Sequence, residues 1–285
     1  MPDGLLRAFD LGAVRRAGSA LPGERPAVGL GEGTELAQLR PYQPGDDVRR
    51  LDPAATARTG VAHVRLQVPE RQLTTWLVID ASASMAFGTA ARLKSDVAEG
   101  VAVVIGRLAT RRGGRVAIAT CGSDDDVRLP PRGGRGALVA LRRALANGPA
   151  ADGRDGAGAL AGAFERVGRT ARQAGLVVAV SDFRGPRDWS RALAALCLRQ
   201  TALAVEVRDQ REAALPAVGH LALVDPETGA HVRVDSSDRR LRERYAAAER
   251  AERDAVAADL RHAGARHVVV DTDGAWMRQL GRVLR

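Results

Sequence analysis

Aromatic residues make up only 3% of this 285-residue chain, cysteine occurs twice, and lysine occurs once, at Lys94, every other basic side chain apart from five histidines being arginine. Each scarcity excludes something. Cys121 and Cys197 sit among apolar neighbours with no second cysteine nearby, which excludes a disulfide framework or a cysteine metal knuckle and leaves two buried thiols. No apolar run approaches the roughly 20 residues that a membrane span requires. No signal peptide opens the chain, so the expectation is a soluble, cytoplasmic protein. A Gly-x-Ser-x-Gly elbow and a Walker-type loop are also missing, which removes the commonest hydrolase and nucleotide-binding signatures.

What is present is enough apolar residue, 45%, to bury a full core, over a length that allows one large or two modest domains. The net charge of +9 would favour nucleic acid if the arginines clustered. They are scattered, and between Arg239 and Arg261 they alternate with Glu243, Glu249, Glu252, Asp254 and Asp259, as on a solvated helix face. No nucleic-acid partner is therefore expected.

From about residue 73, short β-rich runs alternate with segments of helical period, the pattern of an α/β domain with a doubly wound, mostly parallel sheet. Strands are read at 75–80, 115–121, 175–181, 201–208 and 266–271, with short hairpins at 126–129 and at 219–224 paired with 231–235. Helical stripes run through Leu93, Val97, Val101, Val104 and Leu108, and through Leu160, Ala163, Phe164 and Val167. Further helices are read at 136–146, 188–198, 238–262 and 274–284. Residues 1–70, rich in Gly and Pro, read as a small irregular or β-rich lead-in subdomain packed against the α/β domain of 71–285. Gly29, Gly31 and Gly33 read as turn glycines, because no strand precedes them and no helix clearly follows.

The chemistry concentrates where the apolar run Trp76-Leu77-Val78-Ile79 delivers Asp80, Ser82 and Ser84 to a strand end. One carboxylate and two hydroxyls at alternate positions of a tight turn can face a single hard cation, whereas zinc would call for thiolate or imidazole. The alternative is that a serine only caps a helix and Asp80 only ends a strand. A second apolar strand ends in Ser181-Asp182. In a doubly wound sheet the ligand crevice lies outside the carboxyl ends of neighbouring strands where the strand order reverses. If the two strands are neighbours there, Asp80 and Asp182 form a costly pair of anions unless a cation lies between them. For Asp182 alone, capping the helix after Pro186 is the competing role. His63, His220, His231, His262 and His267 are scattered and read as structural.

These residues resemble the metal-ion-dependent adhesion site of von Willebrand factor A domains, in which Asp-x-Ser-x-Ser is joined by a Thr and an Asp from later loops. Upstream, LRPYQPGDDVRRLDPAATARTG at 39–60 resembles the signature of the domain of unknown function 58 family, which leads into such a domain. Together the similarity covers about residues 29–285. Asp80, Ser82, Ser84 and Asp182 match the site. The Thr position falls at Gly158, so one oxygen ligand is absent, and Asp152 or Asp155 replaces it only if the loop folds back. Asp52-Pro53 stands where the family commonly has Asp-Trp, and the amino-terminal membrane helices of many relatives are missing. In 39–60, Pro41, Pro44 and Gly45 are read as setting turns, with Asp46 and Asp47 capping or pairing locally with Arg40, Arg49 and Arg58; docking of a partner is the other reading of this motif.

The resemblance implies a non-enzymatic interaction module. Its Mg²⁺ or Mn²⁺, held by Asp80, Ser82, Ser84 and Asp182, keeps a position open for a carboxylate of a protein partner, alongside a MoxR-type AAA+ ATPase. Two other readings remain open at this stage. One is a degenerate, metal-free module, and the other a metal-dependent hydrolase, against which stands Ser82 where a phosphatase-type Asp-x-Asp needs an acid.

Overall fold

The computed structural model describes residues 35–68, 73–89, 91–111, 113–152, 156 and 158–284, so Gly29, Gly31, Gly33 and Asp155 lie outside the described residues. The described residues fall into two compact units, divided between 68 and 73.

The smaller unit is β-rich. Strand β1 (Glu35–Pro41) pairs antiparallel with β2 (His63–Val68). A 3-10 turn (Val48–Arg50) and helix α1 (Pro53–Thr59) fill the connection. The 39–60 signature accounts for this local structure. Arg40 forks onto Asp46 at 2.8 and 2.6 Å, and Asp47 caps the 3-10 turn through the Arg49 N–H. Asp52 caps α1 through the Ala55 N–H at 2.8 Å and pairs with Arg65 at 2.7 Å. Pro53 stands at the first helical position, where its missing N–H costs nothing, and Gly60 closes the helix in the left-handed conformation.

The larger unit is a doubly wound α/β layer structure. Its sheet comprises β3 (Thr74–Asp80), β4 (Arg115–Cys121), β5 (Arg128–Gly133), β6 (Leu176–Ser181), β7 (Thr201–Arg208) and β10 (Arg266–Asp271). The order is β10-β7-β6-β3-β4-β5, parallel except for β5. Strand β5 begins two residues later than the sequence pattern suggests and carries Pro130-Pro131, which the outermost position of the sheet tolerates.

Helices α2 (Lys94–Thr110), α3 (Gly134–Leu145) and α7 (Trp276–Val283) cover one face; α4 (Ala159–Thr170), α5 (Trp189–Cys197) and α6 (Arg239–His262) cover the other. With both faces covered, β3 is buried from Thr75 to Ile79. Leu77 and Ile79 pack toward α2, and Trp76 and Val78 toward α4. Cys121 is buried and Cys197 half-buried, both as free thiols. A separate hairpin, β8 (His220–Val224) with β9 (His231–Asp235), follows β7. Among the described residues no helix is long and apolar enough to cross a membrane.

The chain leaves β3 through α2 to β4, then returns past β3 to place β6 on its other side, so the strand order reverses between β3 and β6. That reversal puts Asp80 and Asp182 at one crevice.

Candidate functional site

Asp80 ends β3, and among the described residues its carboxylate is engaged by neutral donors. Oδ1 accepts from the Ser82 N–H at 2.9 Å, and Oδ2 from the Ser181 hydroxyl at 2.5 Å, which ties the ends of β3 and β6 together. The hydroxyls of Ser82 and Ser84, both on buried residues, lie 3.2 Å apart on the same turn. Burial, and then the charge of Asp182, push the Asp80 pKa up to about 6 against the hydrogen bonds from Ser181 and Ser82.

Asp182 is treated differently. The Lys94 ammonium donates to its Oδ2 at 2.5 Å and to Glu212 Oε1 at 2.7 Å, and the Arg184 N–H donates to Oδ1 at 3.0 Å. Lys94 is wholly buried, with its ammonium 5.8 Å from the centre of the Phe87 ring. Burial alone would raise the Asp182 pKa; Lys94 and Arg184 outweigh it and hold the group below the usual carboxylate range. Asp182 does not cap the helix after Pro186, whose N-cap is Asp188. The intervening Phe183 has φ 53°, alone among the described non-glycine residues in being left-handed, and packs edge-on to Trp189 with ring centres 5.2 Å apart.

Behind Lys94 runs a network of ion pairs. Arg253 bridges Glu206 (2.6 Å), Glu249 (3.0 Å) and Glu212 (3.1 Å), and also donates to the Asp182 carbonyl. Arg184 pairs with Glu249 and Arg208 with Glu206, whose Oε2 is hydrogen-bonded with His267 Nε2 at 2.8 Å. The expected solvated face of α6 therefore needs correcting at Arg253, which is 8% exposed, and at Glu249. These α6 residues reach the loops at the carboxyl ends of β6 and β7, a tertiary placement that i,i+4 charge spacing cannot reveal. Burial alone would raise Glu206, but His267, Arg208 and Arg253 bring it down to about 2.

The network balances: Asp182, Glu206, Glu212 and Glu249 face Lys94, Arg184, Arg208 and Arg253. Asp80 stands outside it without a cationic partner among the pairs described.

The triplet turn is held from three further sides. Gly122, following β4 with φ 94°, lies so close that a Cβ there would come within 2.9 Å of the Ser82 nitrogen. The Ala150 N–H donates to the Ala81 carbonyl at 2.7 Å. Glu227, from the turn of the β8–β9 hairpin, accepts from the Ser84 N–H at 3.1 Å. Gly158 stands at the N-cap of α4 with φ 75°, offers no side-chain oxygen, and makes the turn that a β-branched residue would resist. Asp152 is exposed. A cleft of about 210 Å³ opens beside Asp80, lined in part by Ser95, Asp96, Glu99, Ser123 and Asp125.

Among the described residues no three His, Cys, Asp or Glu side chains are grouped to hold a metal ion. An ion at the triplet must draw on hydroxyl oxygen, and Asp80, Ser82 and Ser84 suit a hard divalent cation in charge and donor type. Both oxygens of Asp182 are already engaged.

Sequence reasoning named Asp80, Ser82, Ser84 and Asp182 and missed Lys94, Gly122, Glu212, Glu227 and Arg253. The one oddity the sequence offered at Lys94 is that it is the single lysine of an arginine-rich chain; its burial on Asp182 is visible only in the structure.

The architecture is a doubly wound, mostly parallel α/β domain, and in the sequence a small β-rich unit precedes it. The model of the family described as "Protein of unknown function DUF58" matches residues 38–255, more than half of the chain, and the chain belongs to that family. Uncharacterized protein Rv1480 of Mycobacterium tuberculosis (strain ATCC 25618 / H37Rv) is 39% identical over 277 residues, 97% of this chain and 87% of that protein. Among solved structures, the conserved hypothetical protein BatB from Bacteroides thetaiotaomicron aligns at 12% identity and TM-score 0.45, over 74% of this chain and 97% of that one. A von Willebrand factor type A protein from Catenulispora acidiphila aligns at 18% and 0.36, over 52% of this chain and 35% of that one. The α/β assignment rests on the strand order and the parallel pairing, not on these scores.

Proposed function

We propose that the chain is a non-enzymatic protein-binding module, docking through the crevice at the carboxyl ends of β3 and β6. A Mg²⁺ or Mn²⁺ held by Asp80, Ser82 and Ser84 offers a remaining coordination position to a carboxylate of the partner. The ion supplies attraction for that carboxylate; the chain's own residues orient it and hold the turn. Asp182 stands behind, neutralised by Lys94. The observation that carries this reading is that Asp80 is a half-buried anion with two hydroxyls on the same turn and no cationic partner among the described residues, while every other carboxylate of the cluster has one. A divalent ion at Asp80 leaves one net positive charge, which one partner carboxylate cancels.

As the partner class we infer a MoxR-type AAA+ ATPase, on the ground of family resemblance. The module is tested by pull-down of the partner with and without EDTA, alongside calorimetric titration of Mn²⁺ into the metal-stripped chain and its Asp80→Asn variant. Ion binding in the wild type alone, with EDTA-sensitive capture, supports the reading. A metal-free module is favoured by Gly158 and by the Lys94 ammonium already on Asp182; capture that survives EDTA would select it.

A further inference from the structure

The hairpin β8–β9 is a two-stranded element outside the main sheet, and both its strands are largely exposed, with Val224 and Val232 open to solvent. Such a hairpin contributes little stability of its own. Its turn is nonetheless tightly built. Asp225 accepts from the Glu227 N–H at 3.1 Å and from the Thr228 hydroxyl at 2.6 Å, and its carbonyl accepts from the Gly229 N–H at 2.8 Å. The turn so shaped presents one carboxylate, Glu227, to the triplet.

Glu227 Oε1 accepts from the Ser84 N–H, across 143 residues of sequence. Its other oxygen lies against Gly156, where an added Cβ would fall 2.8 Å from Oε2 and 3.6 Å from the Ser82 Cβ. The carboxylate is thus seated between Gly156 and the turn bearing Ser82 and Ser84. Taking up charge there with a flexible, half-buried side chain suits a reversible contact better than a fixed structural one, because one hydrogen bond is all that the described contacts add.

We propose that Glu227 is an intramolecular occupant of the triplet, and that the β8–β9 hairpin is a latch which a partner's carboxylate must displace. This rests on the ion-bridged reading above, because it assigns to Glu227 the position which that reading leaves to the partner. The partner's anchoring group is accordingly a Glu or Asp side chain, or a C-terminal carboxylate, on a segment that can enter where the hairpin turn now lies.

The test uses the full chain and Glu227→Ala, which removes the half-buried carboxylate from the hairpin turn. Without metal, hydrogen exchange should quicken by about tenfold or more over 220–235 and over the triplet turn, the effect of losing one charge-assisted hydrogen bond, with β3 and β6 unchanged. Unchanged exchange would overturn the latch. With Mn²⁺ bound, removing the occupant should admit a further exchangeable water and raise the water-proton relaxivity of the ion. Faster exchange with unaltered relaxivity of a bound ion would overturn the occupant assignment. If neither protein binds Mn²⁺, the ion-bridged reading fails while the exchange result still decides the latch.

Discussion

Two aspartates end neighbouring strands in one crevice, and they are held in opposite ways. Asp182 is met by the buried Lys94 ammonium and kept ionised; Asp80, with only hydroxyl and N–H donors, has its pKa raised to about 6. The difference teaches that proximity of two carboxylates does not by itself call for a shared ion. The protein supplies one cation from α2 to Asp182 and none to Asp80 among the described pairs, which separates a half of the crevice closed by ion pairs from a half held by neutral donors.

The largest effect that would break this comparison is expected from Lys94→Met. Removing the ammonium strands Asp182 and Glu212 in a buried site and should destabilise the fold by about 3–5 kcal/mol, read from urea denaturation. Lys94→Arg should recover little of it, because the guanidinium needs room that a fully buried position lacks.

Glu206 sharpens the contrast through pH. Its folded pKa of about 2 lies below the ordinary value of 4.5, so its contribution is fully present above pH 4.5 and is lost as pH falls toward 2. Acid titration of stability should show a loss on the order of 2–3 kcal/mol over that window, which Glu206→Gln flattens. Gly122→Ala forces a Cβ against the Ser82 backbone at a left-handed φ. It should cost about 1–3 kcal/mol and weaken any ion binding at the triplet, measured by denaturation and by Mn²⁺ titration. The smallest effect belongs to Asp80→Asn: in EDTA at neutral pH the variant should match the wild type or exceed it by about 1 kcal/mol, since it removes an uncompensated anion.

The β3 and β6 ends were legible because continuous apolar runs stop at a polar residue, and because the topology of doubly wound sheets brings such ends together. That Asp80, Ser82 and Ser84 share one turn was legible from their alternate spacing at the strand end. The cation was not, since Lys94 opens a helix whose apolar stripe says only that it packs on the sheet, and the ammonium's target lies 88 residues away. Glu227 was hidden for the same reason, sitting in an ordinary turn sequence whose docking point is fixed by tertiary structure. Arg253 looked like one more charge on a solvated helix until its burial against Glu206 and Glu212 was seen.

The most direct measurement is an anomalous difference map from crystals of the chain grown with Mn²⁺. The account predicts one peak at ligand distance, about 2.1 Å, from Asp80 and the Ser82 and Ser84 hydroxyls, with Lys94 still on Asp182. A peak on Asp182 with Lys94 displaced, or no peak at the triplet at saturating Mn²⁺, would contradict it.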